Sequence, residues 1–211
     1  MSGSTTLYIV RHGQTEWNVL HKMQGHQDSP LTVLGIRQAE WLRDSLKEQR
    51  LDQIYTSSSE RTRRTAEVIR GSRETEIIAC PDLREIHLGR WEGRTQSEVK
   101  AADPAAFEAF WNDPERFQVE GSETFREVSN RALARMNQIL KQHQGSHILI
   151  VTHTVVVKLL MAHLEKRPLH KLWEPPYIHP ACLCKVEITE GQTEILLHGD
   201  IGHYREAPAE D

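Results

Sequence analysis

Two apolar, β-leaning runs, Leu7 to Val10 and Ile148 to Thr152, each lead straight into a histidine. Runs of this kind are buried strands, and a buried strand that ends on an ionisable group delivers that group to one edge of a sheet. The first run continues as Arg11-His12-Gly13. Adjacent strand residues face opposite ways, so Arg11 and His12 serve one pocket only where the strand has ended and the backbone turns, which Gly13 permits. The alternative for the same residues is a strand-end histidine that caps a neighbouring carbonyl. The second run, in ILIVTHT (148 to 154), ends on His153 at the start of a helix whose amides face the same space. A neutral, satisfied histidine is the alternative there.

Between these runs the chain alternates strand and helix patterns. Leu34, Ala39, Trp41, Leu42 and Leu46 recur near the helical period behind Thr32 as a cap, giving a helix to about Arg50. Ile54 to Thr56 read as a second strand, followed by capping hydroxyls from Ser57, Ser58 and Ser59 and a helix through Ile69 that Gly71 stops. Glu76 to Cys80 fit a third strand. Residues from about 84 to 120, interrupted by Gly89, Gly93, Pro104 and Pro114, read as a helical insertion. The longest helix runs from about Thr124 to His143, and another follows His153 from Thr154 to Leu164. Cys182 to Thr189 and Thr193 to His198 make a terminal hairpin across Glu190-Gly191-Gln192.

This order predicts an α/β fold, a three-layer α/β/α sandwich whose mostly parallel sheet is closed by an edge hairpin. A chain of 211 residues accommodates it as a single domain, 1–211. Ligands of such sheets sit beyond the carboxyl ends of the strands, where Arg11-His12, Thr56 to Arg61 and Thr152-His153 should meet.

Composition narrows the partners. A net charge of -4 gives no basic field for nucleic acid or anionic lipid, so an anion must be held by a local site. The greasiest stretch, Ile148 to Leu164, is broken by Thr152, His153 and Lys158, and with mean hydropathy of -0.56 no membrane span is expected. The opening residues, Met1 to Thr6, lack the features of a secretion signal. Cys80, Cys182 and Cys184 lack metal-ligand spacing, and the last two share one face of a strand. They read as reduced core residues of a cytoplasmic protein. The 12 histidines include no zinc-ligand pattern, and no metal or cofactor is expected.

Arg61 stands in the first turn of its helix, where the dipole favours acids. An anion held by Arg61 and nearby amides would offset that repulsion. Arg63 and Arg64 belong to a solvated face, with Glu60 paired to Arg64. Glu85, in LREIHLGRWEG (83 to 93), is placed either to pair with an arginine or to move a proton. Two arginines and a second histidine around His12 make a positive pocket suited to a phosphate dianion, and neighbouring cations keep His12 neutral and nucleophilic.

These residues resemble the histidine phosphatase superfamily, also called phosphoglycerate mutase-like. RHGQTEWN, QGHQDSPLTVLGIRQA, YTSSSERTRRTAE, LREIHLGRWEG, GSETF and VTHT stand in the family's order from Leu7 to about Leu164. The resemblance implies catalysis through a phosphohistidine. His12 matches the nucleophile, while Arg11, Arg61 and His153 match the phosphate pocket. Asn18 and Gln24-Gly25 match its rim, and Glu85 matches the proton donor, which nearby arginines hold low until a bound dianion raises it. Phosphatases of the family often carry glycine where this chain has Thr154, whose amide still serves phosphate while its bulk bears on substrate shape.

The expected activity is a metal-independent phosphomonoester hydrolase of broad specificity for small phosphorylated metabolites. The insertion is shorter than in the family's mutases, and Phe107, Phe110 and Trp111 form either an apolar pocket lip or the insertion's own core. The alternatives are an α-ribazole phosphatase or another dedicated metabolite phosphatase, a cofactor-dependent phosphoglycerate mutase, and an inactive module that binds phosphorylated partners.

Overall fold

The computed structural model describes residues 3–190 and 192–206. Strands β1 (Thr5–Arg11), β2 (Gln53–Ser57), β3 (Ile77–Cys80), β4 (His147–Thr152), β5 (Leu183–Thr189) and β6 (Gln192–Asp200) form one sheet in the order β3-β2-β4-β1-β5-β6. The first four strands are parallel; β5 runs antiparallel to β1, and β6 antiparallel to β5. The expected turn residue Gly191 lies outside the described residues; β5 and β6 pair from Thr189 with Gln192 onward.

The helices are α1 (Glu16–Val19), α2 (Val33–Ser45), α3 (Glu60–Arg70), α4 (Gln96–Ala102), α5 (Pro104–Asn112), α6 (Phe125–Gln142) and α7 (Thr154–Glu165). Strand alternation divides the core in two. Leu7, Ile9, Ile148 and Ile150 pack with α6 and α7, whereas Tyr8, Val10, Leu149 and Val151 pack with α2 and α3. Each of these fully buried side chains contributes about 1.5–3 kcal/mol relative to exposure. The expected three layers are therefore present, with both faces of the central strands covered.

Two element ends depart from expectation for identifiable reasons. Helix α2 stops at Ser45 and not near Arg50 because Arg73, from beyond α3, donates to the carbonyls of Leu46 and Lys47 at 2.6 and 3.2 Å. Helix α3 begins after Ser59 without any side-chain hydroxyl cap. Its first amide is held by the Asp28 carboxylate, with Glu60 N donating to Oδ2 at 2.7 Å. On its exposed face Glu60 pairs with Arg63 and Arg64 with Glu67, in place of the expected Glu60 and Arg64 pair.

Register fixes what the strand ends share. Arg11 lies opposite Thr152, and Val151 opposite Thr56, so the residues after all three strands emerge at one level. The amide of His12 donates to the Thr152 carbonyl at 2.9 Å, tying the two histidine-bearing ends together. Gly13 turns the chain away where a Cβ would come within 2.3 Å of the Gly35 carbonyl oxygen on α2.

Candidate active site

The sheet's carboxyl edge gathers five buried ionisable groups: Arg11, His12, Arg61, Glu85 and His153. The His12 and His153 rings lie 5.3 Å apart, edge toward face. His12 Nδ1 is 2.7 Å from the Gly13 carbonyl. A carbonyl only accepts, so Nδ1 bears the proton and Nε2 of the neutral ring keeps its lone pair. Burial first, then the charges of Arg61 and Arg11, holds the His12 pKa well below its ordinary value. The carbonyl-capping histidine and the neutral pocket histidine thus prove to be the same arrangement. His153 is held neutral by burial and Arg61, and its Nε2 lies 2.8 Å from Ser57 Oγ.

Arg11 is aimed by one bond, Nη1 donating to the Ile178 carbonyl at 2.7 Å. Arg61 is clamped more heavily: Nη2 donates to the Gly25 carbonyl at 2.7 Å, and Nη1 to Asp28 Oδ1 at 2.6 Å and the Gln27 carbonyl at 3.0 Å. The anion expected at the start of α3 is thus supplied by the protein itself, through Asp28. Yet Arg11 Nε, Arg61 Nε and His153 Nδ1 are buried and make no hydrogen bond. Buried polar atoms in this state carry a desolvation cost of about 1–3 kcal/mol each, which an anion among them would relieve.

Glu85 differs from expectation. Its Oε1 accepts from Ile86 N at 2.9 Å and its Oε2 from Val155 N at 3.1 Å, so one amide at the start of α7 is committed to this carboxyl. Burial outweighs these bonds and the charges of Arg61 and Arg131, and raises the Glu85 pKa. The shift is thus upward before any dianion arrives, where neighbouring arginines had been expected to hold the carboxyl low.

A cavity of about 400 Å³ opens over this cluster and is lined by Arg11, His12, Asn18, Gln24, Glu85 and Thr154 among others. Gly25, Arg61 and His153 do not line it. A Cβ on Gly25 would come within 2.5 Å of both the Ile86 carbonyl oxygen and Glu92 Oε1, so the loop closes on the insertion only with glycine there. Gln24 Oε1 accepts from Thr15 Oγ1 at 2.9 Å, and Asn18 forms a capping box with the same threonine. The aromatics divide: Phe110 and Trp111 line the cavity, while Phe107 packs beside Trp91.

Several supporting residues carried no local sequence signal. Glu92 accepts from the amides of His26 and Gln27, each at 2.8 Å, and so holds the loop whose carbonyls grip Arg61. Arg131 on α6 donates to the carbonyls of Asp82, Arg84 and Glu85 and pairs with Glu123. Asp28 and Ser57 were within quoted motifs, but their partners lie 33 and 96 residues away in sequence.

A buried neutral histidine flanked by guanidinium groups, beside a carboxyl with a raised pKa, is an arrangement whose chemistry suits an anion such as phosphate. The family model described as histidine phosphatase superfamily (branch 1) matches residues 7–201, and the chain belongs to that superfamily. It is a phosphatase, like the relatives that bear that name, and the superfamily's phosphoglycerate mutases are similar to it as well. It is similar to the metal-independent phosphoserine phosphatase of Arabidopsis thaliana, 33% identical over 159 residues, covering 74% of this chain and 67% of the relative. The adenosylcobalamin/alpha-ribazole phosphatase of Salmonella typhimurium is 31% identical over 185 residues, covering 88% and 91%. Among solved structures, Bacillus stearothermophilus YhfR superposes with a TM-score of 0.92 at 45% identity, covering 94% of this chain and 98% of that one.

Proposed function

We propose that this phosphatase is a metal-independent phosphomonoester hydrolase of broad specificity, acting on small phosphorylated metabolites through a phosphohistidine on Nε2 of His12. The observation that carries this is the His12 bond to the Gly13 carbonyl, which leaves the lone pair of the other ring nitrogen free within a cationic pocket. Nε2 attacks phosphorus, the ester P–O bond breaks, and the Glu85 carboxyl passes its proton to the leaving oxygen. Glu85 then takes a proton from a water molecule as the water oxygen attacks phosphorus, and the N–P bond breaks to release inorganic phosphate and free His12. Charge in both transition states spreads over Arg11, Arg61, His153 and the Thr154 amide. Asn18, Gln24 and the Gly25 loop form the rim.

Guanidinium groups supply the positive charge that a metal supplies elsewhere, and among the described residues no three His, Cys, Asp or Glu side chains cluster as ligands. The cavity's many apolar lining residues, Phe110, Trp111, Trp173 and Ile178 among them, make no directional bonds and so support leaving groups of varied shape. The insertion's Trp91, Val99, Phe110 and Phe117 share one core cluster with α6 and α7, which supports a single domain over 1–211. Three free, buried cysteines fit a reducing, cytoplasmic setting, and no helix among the described residues is long and apolar enough to cross a membrane.

The test is rapid quench with a labelled aryl phosphate, alongside a panel of phosphomonoesters and 3-phosphoglycerate isomerisation. An acid-labile phosphoenzyme is expected, and His12→Ala should lose it together with turnover, by on the order of 10⁴-fold or more. Undiminished turnover in His12→Ala would refute the mechanism. Isomerisation outpacing hydrolysis would make it a mutase, and α-ribazole phosphate exceeding every other ester by about 100-fold or more would make it a dedicated enzyme.

A further inference from the structure

Lys158 interrupts the apolar sequence of α7, where Val155, Val156, Val157, Leu159, Leu160 and Met161 are all buried. It is itself only 5% exposed, and it lines the same cavity as His12 and Glu85. Its ammonium donates to the carbonyls of Glu174 and Pro176 at 2.6 and 2.8 Å, on a segment whose Pro175, Tyr177 and Ile178 also line the cavity. An ammonium has three N–H groups, and these bonds occupy two.

No carboxylate lies within ion-pair distance of Lys158 among the described residues. The nearby Glu165 carboxylate is taken up by His198 at 2.6 Å and Arg167 at 3.0 Å. Burial pushes the lysine pKa down to about 8, so the group is still charged at neutral pH. A buried cation satisfied only by carbonyl dipoles is costly unless an anion reaches it. The cavity adds Lys22 to its lining, and its lone acid is Glu85.

We propose that Lys158 forms a second anionic subsite, which selects phosphomonoesters whose leaving group carries a carboxylate or a second phosphate. This rests on the phosphatase activity proposed above and assigns the chemistry of the leaving-group end. It gives the buried lysine a substrate-dependent partner and leaves the His12 chemistry unaltered.

Binding of phosphonates, which cannot be hydrolysed, tests the subsite apart from turnover. Benzylphosphonate and its 3- and 4-carboxy derivatives are titrated calorimetrically into the full chain and into Lys158→Met and Lys158→Gln. The unsubstituted protein should bind a carboxylated compound at least about tenfold more tightly, the preference falling to about twofold or less in both variants. Equal binding of all three compounds to the unsubstituted protein, or a preference that survives both substitutions, would overturn the subsite. If neither variant folds, the comparison on the unsubstituted protein decides alone. Phosphate release from phenyl phosphate and its carboxylated counterparts is measured in parallel. Turnover without selectivity defeats the subsite only, whereas selective binding without turnover defeats the catalytic proposal only.

Discussion

The two ends of the cavity are built differently. At the proposed phosphate end, Arg11, His12 and His153 are mounted directly on the ends of β1 and β4, and Arg61 sits in the first turn of α3 after β2. At the proposed leaving-group end, Phe110, Trp111, Trp173 and Lys158 come from α5, α7 and an irregular segment near 175, and meet through ring packing and a few hydrogen bonds to backbone carbonyls, with no strand pairing between them. One end is fixed by sheet register, the other by side chains that fill space and bond to backbone carbonyls. Register errors flip every side chain of a strand, so the first is all-or-none; packing is graded, so the second can vary.

The largest expected contrast is catalytic. Glu85→Gln should lower kcat by about 10²–10⁴-fold for alkyl esters and less for 4-nitrophenyl phosphate, whose leaving group needs no proton. An equal loss on both substrates would remove Glu85 from the acid role. The same variant has a stability signature. Burial raises the Glu85 carboxyl above its ordinary 4.5, so the folded chain keeps a proton that the unfolded chain has lost. Stability from this group is complete below pH 4.5 and is lost as pH rises through the folded value. Glu85→Gln should therefore flatten that decline in urea melts taken across pH.

At the other end the first readout is stability. Phe110 is 3% exposed and its ring lies 5.0 Å from Phe117 and 5.1 Å from Phe125, so Phe110→Ala should cost about 3–5 kcal/mol in denaturant unfolding. Trp111, half-buried, should cost less when changed to Ala and act chiefly on KM for aryl esters. A large kcat loss in Trp111→Ala would mean that the leaving-group end is not the graded one. The smallest effect is expected at Asp28→Asn, which keeps an acceptor at the start of α3 but removes the charge facing Arg61. It should lower stability by about 1–2 kcal/mol in the same melts while raising KM for every ester alike.

Legibility in the sequence followed the same division. The strands and longer helices, and the meeting of Arg11, His12, Arg61 and His153, could be read because each motif is local and its position follows from strand alternation. The carboxylate that caps α3 could not, since Asp28 reaches Glu60 from a loop 32 residues earlier. Nor could the direction of the Glu85 shift, because burial, the dominant influence, depends on the closed fold and not on neighbouring charges. Arg131 acts through backbone carbonyls, which carry no mark in the sequence. Lys158 stood out only as an interruption in a greasy stretch, and its meaning required the segment that folds over it.

Strand β1 is paired on both sides, with β4 and with β5, and every one of its residues is buried. In terms of time, its amides have no local route to solvent, so their hydrogens should exchange only when the whole molecule opens. The imidazole proposed to react, on the residue that follows β1, would then ride on a part of the chain that stays closed between global unfolding events. On the proposed mechanism, substrates would arrive and products leave many times for each opening of that mount.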